Sequence, residues 1–231
     1  MGQVYLVRRR LRSGFLALKV LHQAHLEQNH VQQRFVEVGR ALSAVRHDNI
    51  VNILSVGTLG SGIPYWAMEY VEAKPLSEVL AYDSLLDTER AAHFGGMIAL
   101  GLDAAHGVSV VHGDLTPANV LVLADDTIKV ADFSNLENCS PLRLGGASLG
   151  APEYWSPEQA QGLALDRSSD LYSLGVVLFE CLAGKTPFVS HSYSDMVAQH
   201  LHTEPRAVMA SLGRGDVPLA FRELLIECLN K

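Results

Sequence analysis

Cysteine is scarce in this chain of 231 residues. Cys139, Cys181 and Cys228 lie far apart with no CxxC spacing, which excludes a disulfide framework and a cysteine-built zinc site and fits a reducing, cytoplasmic setting. Basic charge is in the minority, 18 Lys and Arg against 25 Asp and Glu for a net charge of -7. A nucleic-acid-binding surface needs clustered cations, so none is expected here. The one basic run, RRRLR at 8–12, reads as a solvated strand end and turn. No apolar run approaches the ~20 residues that cross a bilayer. Leu6 stands where a myristoylation signal has Ser or Thr. The histidines are scattered without HExxH, SVVHGD holds no nucleophile elbow, and repeats and low-complexity linkers are missing.

What is present is enough apolar sequence, 48%, to bury a sizeable core. GQVYLVRRRLRSGFLALKVL gives two strand-like runs around Ser13-Gly14, a hairpin pattern. Val31, Phe35, Val38, Leu42 and Val45 then recur at alternating four- and three-residue steps and share one helical face. NIVNILSVGTLGSGIPYWAMEYV supplies two more strands. After Lys74-Pro75 the pattern turns to long helices, over 88–106, 169–183 and from Pro218 onward, interrupted by a short hairpin of ANVLVL and TIKVADF across Asp125-Asp126. The expectation is a bilobal α+β fold, with a sheet-rich lobe over 1–71 and a helical lobe over 72–231.

Three segments carry candidate chemistry. In FLALKVL, period two puts Ala17 and Lys19 on one strand face, a small residue beside a cation. In VVHGDLTPANVLV, Asp114 and Asn119 stand five apart in a polar break. The hairpin would bring Asn119 to Asp132 at the end of IKVADF. Two such oxygen donors suit Mg²⁺, which is held by one or two protein side chains plus phosphates and water. Asp114 is then the carboxylate left to orient or deprotonate a hydroxyl. Taken singly, Asp114 and Asn119 also read as turn caps and Asp132 as a strand cap.

Together these segments resemble a serine/threonine protein kinase domain of the eukaryotic type that is also common in bacteria, and the resemblance covers essentially the whole chain. GQVY resembles the end of the glycine-rich loop and ALKV the lysine strand. RHDNIV resembles the segment after the first helix, and MEYVEAKPL the hinge, with Met68 as gatekeeper. HGDLTPAN resembles the catalytic loop, ADFS the metal-binding segment, GAPEYWSPEQAQG the end of the activation segment, and DRSSDLYSLGVVLFECLAGKTPF the central helix of the large lobe. The resemblance implies ATP and Mg²⁺, with adenine between Val4 and Ala17 on one side and Leu121 on the other, and the backbone of Glu69 to Val71 facing it. It implies phosphates on Lys19, metal on Asn119 and Asp132, and Asp114 as the catalytic carboxylate. His112, Phe133, Glu158 and Asp170 would be supports, Asp170 bracing the catalytic loop. The partner implied is a protein substrate, with no membrane segment in this chain.

Several positions depart from the family pattern. The chain begins where the family has its third loop glycine, so the first two are absent, and it stops just before the segment whose arginine usually pairs with the residue matching Glu158; a fragment or a misread gene boundary is expected. Glu158 is then expected to lie buried without its partner. Val38 falls where the first helix has the glutamate that pairs with the lysine, and Glu37, about 100° round the helix, does not replace it; Lys19 is expected to lack a protein counterion. Gly113 replaces the arginine that holds a phosphorylated activation loop, so no switch of that kind is expected. Thr116 replaces a lysine near the transferring phosphate. Ser134 replaces the glycine that lets the metal-binding segment flip. The reading is a protein serine/threonine kinase of modest activity. Two alternatives stand beside it: a pseudokinase that binds nucleotide or protein, and a small-molecule phosphotransferase, since HGDLTPAN also resembles the catalytic loop of aminoglycoside and choline type enzymes.

Overall fold

The alternation in the first seventy residues folds as strands. A computed structural model of the chain describes residues 2–9, 14–133, 150–190 and 192–231. Strands β1 (Gly2–Arg8), β2 (Phe15–Leu21), β3 (Ile53–Thr58) and β4 (Pro64–Glu69) form an antiparallel sheet in the order β1-β2-β4-β3. Register places Val4 opposite Lys19 and Leu6 opposite Ala17. On the other side of β2, Met68 lies opposite Ala17 and Trp66 opposite Lys19. Directly paired residues share a face, so Val4, Leu6, Ala17, Lys19, Trp66 and Met68 all look the same way. Gly14, at φ +112, lies in the connection from β1 to β2, where Arg9 N–H donates to the Gly14 carbonyl at 3.2 Å; Ser13 falls outside the described residues.

Helix α1 (Asn29–Ser43) packs on β3 and β4 through Val31, Phe35, Val38, Gly39 and Leu42. Its predicted stripe is correct to Leu42, whereas Val45 lies beyond the helix end and packs on the core from the following turn. The segment after it is tied to the far part of the molecule. Asn49 Nδ2 donates to the Ile128 carbonyl at 2.9 Å, and backbone bonds join Asn49 to Val130 at 2.8 Å and Val51 to Val130 at 2.9 Å.

The second half is built from helices around α5. After β5 (Lys74–Pro75) come α2 (Leu76–Asp83) and α3 (Thr88–His106), then the hairpin β6 (Val120–Val122) and β7 (Ile128–Val130). The helices α4 (Pro157–Ala160), α5 (Arg167–Ala183), α6 (Tyr193–His202), α7 (Pro205–Ala210) and α8 (Leu219–Cys228) follow. α5 is buried along nearly its whole length, between α3 and α8. It starts two residues before the predicted 169, because Asp166 and Ser169 close a capping box. α3 matches 88–106, with the Asp87 carboxylate accepting from Arg90 N–H. The sequence pattern does not announce α6 and α7. α6 buries only Met196 and His200, and Pro205 sits at the start of α7, where its missing N–H costs nothing.

Candidate active site

The β6–β7 hairpin sets the geometry of the site. Val120 pairs with Val130, and one step outward the Ala131 N–H donates to the Asn119 carbonyl at 2.9 Å. Asn119 and Asp132 therefore leave the hairpin side by side. Asn119 Nδ2 donates to the Asp114 carbonyl at 2.8 Å, which leaves the amide oxygen as the group available to a cation. Asp132 adopts a left-handed φ of 61°, and its carboxylate forms an ion pair with Lys19.

That pair corrects one expectation. Lys19 does have a protein counterion, supplied by Asp132 and not by the helix. Lys19 is 2% exposed and Val38, where the glutamate was missed, is 3% exposed. Glu37 turns outward, its side chain 66% exposed and 3.8 Å from Arg34. An ammonium taken this far from water needs a partner at close range, and the left-handed turn at Asp132 delivers one.

The loop carrying Asp114 hangs from α5. Asp170, wholly buried, accepts from the backbone N–H groups of His112 and Gly113, both at 2.8 Å, and lies 2.7 Å from His106 Nε2. His112 donates through Nε2 to the Ala131 carbonyl at 2.9 Å and accepts at Nδ1 from Asp114 N–H at 3.2 Å, which puts its proton on Nε2. The Phe133 ring packs against His112 at 4.7 Å between centroids. Asp114 is largely buried, and that burial, with the charge of Asp132 adding to it, holds its carboxyl above the ordinary aspartate range.

Gly113 has φ +66, a conformation in which a Cβ is disfavoured. Gly113→Arg is therefore expected to cost about 1 kcal/mol of stability, read as a shift in denaturation midpoint at unchanged slope. An unshifted midpoint would show that the loop rotates to accommodate the side chain. Thr116 is buried and precedes the 3-10 turn Pro117–Asn119, so its short side chain fills space under the loop.

Glu158 also departs from expectation. It is half-buried, and its carboxylate accepts from the Ser169 hydroxyl, so it is not left without a partner. Beside it, Gln159 Nε2 donates to the Gly113 carbonyl at 2.9 Å, a link from α4 to the loop carrying Asp114 that sequence reasoning missed. Ser134, Ser140, Ser148 and Cys139 lie outside the described residues.

An apolar pocket opens next to Lys19 and Asp132. Val4, Leu6, Ala17 and Met68 of the large sheet line it together with Leu121 and Ala131 of the hairpin region, and Val51, Glu69, Tyr70 and Val71 complete the lining. Val4 is 58% exposed and forms an open roof. Glu69 N–H is committed to the Asn52 carbonyl at 3.0 Å. Burial pushes the Glu69 carboxyl upward, but hydrogen bonds from Asn52 and Lys129 outweigh it and hold the group below its usual range. The pocket fits a flat apolar ring system, and its charged end at Lys19 and Asp132, with the Asn119 amide beside the hairpin end, fits phosphates with a hard divalent cation. Among the described residues no cluster of three or more His, Cys, Asp or Glu could hold a metal by itself.

Trp66 is the second residue missed. Its ring lies under Lys19, with Nζ 4.9 Å from the centroid. The signal was available, since pairing the strand of Lys19 with the strand of Met68 puts the tryptophan two residues earlier opposite the lysine.

The family description "Protein kinase domain" matches residues 1–231. A probable serine/threonine-protein kinase of Clostridium perfringens is 32% identical over 233 residues, an alignment spanning 100% of this chain and 34% of that protein. Serine/threonine-protein kinase pkn3 of Myxococcus xanthus is 32% identical, over 100% of this chain and 44% of its own. Serine/threonine-protein kinase A of Synechocystis is 34% identical, over 100% and 47%. The chain thus spans less than half the length of these relatives. No helix among the described residues is long and apolar enough to cross a membrane.

Proposed function

The chain belongs to the protein kinase family, and from that premise we propose that it transfers the terminal phosphate of ATP to a serine or threonine hydroxyl of a protein, at a modest rate. The observation that carries this reading is the ion pair of Lys19 and Asp132 in the lining of an apolar pocket, with Asn119 bonded to Ala131 beside Asp132 and Asp114 on a loop fixed to the same hairpin. Residues 1–71 and 72–231 act as two lobes of one kinase domain in this reading.

Adenine occupies the slot between Val4 and Ala17 above and Leu121 below, with the Glu69 to Val71 edge facing it. Lys19 holds phosphate oxygens. Asn119 and Asp132 would hold Mg²⁺, which would neutralise charge on the phosphates. Asp114 orients the acceptor hydroxyl and takes its proton. Asp170, His112 and Phe133 keep that loop in place, and Glu158 with Ser169 fixes the segment from which Gln159 reaches Gly113. Chemistry of this kind is mainly positioning and charge neutralisation, so Thr116 in place of a cation lowers the rate without removing the reaction. SPEQAQG and the SDLYSLGVVLFE stretch of α5, which resemble the activation segment of protein kinases and its anchor, favour a protein acceptor over a small molecule.

The test is transfer of labelled terminal phosphate from Mg²⁺-ATP to the protein itself and to a generic protein acceptor. Labelled phosphoserine or phosphothreonine is the expected product; no product from folded protein at long times would overturn the reading. The pH profile carries a further expectation. Because Asp114 has a raised folded-state value, its proton-accepting form is lost earlier as pH falls. The acid limb of kcat/KM should therefore turn down above the ordinary carboxylate range. A profile flat through that range would mean that Asp114 accepts no proton in the rate-determining step.

A further inference from the structure

The ammonium of Lys19 is almost fully removed from water, and the neighbouring helix offers it no carboxylate. What α1 offers instead is a seat for Trp66. The indole Nε1 donates to the Phe35 backbone carbonyl at 3.0 Å, and the ring stacks on the Phe35 ring at 4.4 Å between centroids and 18° between planes. Gly39 makes room for it, since a Cβ at that position would lie 2.2 Å from Nε1. Phe35, Val38 and Gly39 occupy one turn of one face, and all three are buried toward the sheet. The upper face of the same indole meets the ammonium at 4.9 Å, inside the range at which a ring quadrupole attracts a cation.

We propose that Trp66 is the positioning residue for Lys19, coupling α1 to the phosphate-binding ammonium through its ring face in place of a carboxylate at position 38. The proposal rests on the kinase reading and deepens it. Its particular consequence concerns Asp132. Asp132 is also the residue that would hold Mg²⁺ beside the nucleotide, and a cation there would weaken its hold on Lys19, whereas the ring contact does not depend on the metal. The ammonium then stays over the indole while its negative partner changes from carboxylate to phosphate. Because the indole is fixed by a backbone carbonyl and by stacking, this coupling does not depend on a helix side chain swinging into reach.

The test is a double-variant cycle on Mg²⁺-ATP affinity, measured by calorimetry on the parent, Trp66→Leu, Lys19→Met and the double variant, with thermal unfolding run on each. Trp66→Leu should weaken binding roughly ten-fold in the parent and less than about two-fold in the Lys19→Met background. Its loss of thermal stability should be larger with Lys19 present than with Lys19→Met, because the ring contact already exists in the unliganded fold. Equal losses of affinity in the two backgrounds, or no loss in either, would overturn the proposal and leave Trp66 a packing residue. A parent that binds no nucleotide would sink the kinase reading, and this one with it, whereas a binding parent with an uncoupled Trp66 sinks only this one. Should Trp66→Leu fail to fold, 5-fluorotryptophan introduced into a Trp155→Phe protein gives a nearly isosteric ring with a weaker face. Affinity reduced by fluorination with Lys19 present, and unchanged by it with Lys19→Met, supports the coupling; no reduction in the first case overturns it.

Discussion

Asp114→Asn is expected to lower phosphoryl transfer by ~10²–10⁴-fold, the range that a positioned general base supplies, while Mg²⁺-ATP affinity stays within about two-fold because the interaction it removes forms only on the way to the transition state. The structure makes this a clean exchange. The loop at 114 is held by backbone groups: its N–H donates to His112 Nδ1, and its carbonyl accepts from Asn119 Nδ2. Neither bond uses the Asp114 carboxylate, so an amide of the same shape leaves the loop in place. What changes is the ability to accept a proton from the acceptor hydroxyl. Single-turnover transfer with saturating ATP measures the effect directly. Retention of more than about a tenth of parent activity, well outside the expected range for a base, would mean that another group removes the proton and that Asp114 only fills the loop.

The parts of the fold written in local patterns were legible in the sequence. Period two in FLALKVL, the helical stripe from Val31 to Leu42 and the buried run of α5 each depend on near neighbours in the chain. The hairpin that joins Asn119 to Asp132 was legible for the same reason. Two kinds of feature were not. The first depends on the sign of φ: the left-handed turn at Asp132 sends its carboxylate to Lys19, and no composition rule announces such a turn at an aspartate. This is why Lys19 was expected to lack a counterion. The second depends on pairings between distant segments, as with Glu158 and Ser169 across α4 and α5, or Trp66 beneath Lys19. Residue-by-residue matching to a family pattern marks what is missing at Val38. Only the packed structure shows what took its place.

Asp170→Ala should produce the largest loss of stability of any single change at this site, about 3–5 kcal/mol. The side chain is wholly buried, and its oxygens serve three donors: the backbone amides of His112 and Gly113 and the imidazole of His106. Removing it strands two buried N–H groups as well as a buried imidazole, and an unmet buried donor costs more than an average hydrogen bond contributes. For a chain of this size the loss corresponds to a fall of roughly 10 °C in Tm, readable by calorimetry. The same change should lower transfer by more than it lowers nucleotide affinity, since Asp170 supports the loop of Asp114 whereas Lys19 and the apolar pocket are carried by other elements. A fall under about 2 °C, less than one stranded amide should cost, would mean that the remaining ties suffice. Those ties are Gln159 to the Gly113 carbonyl, Asn119 to the Asp114 carbonyl and His112 Nε2 to the Ala131 carbonyl. In that event the loop is anchored from the hairpin and α4, and α5 beneath it contributes packing alone.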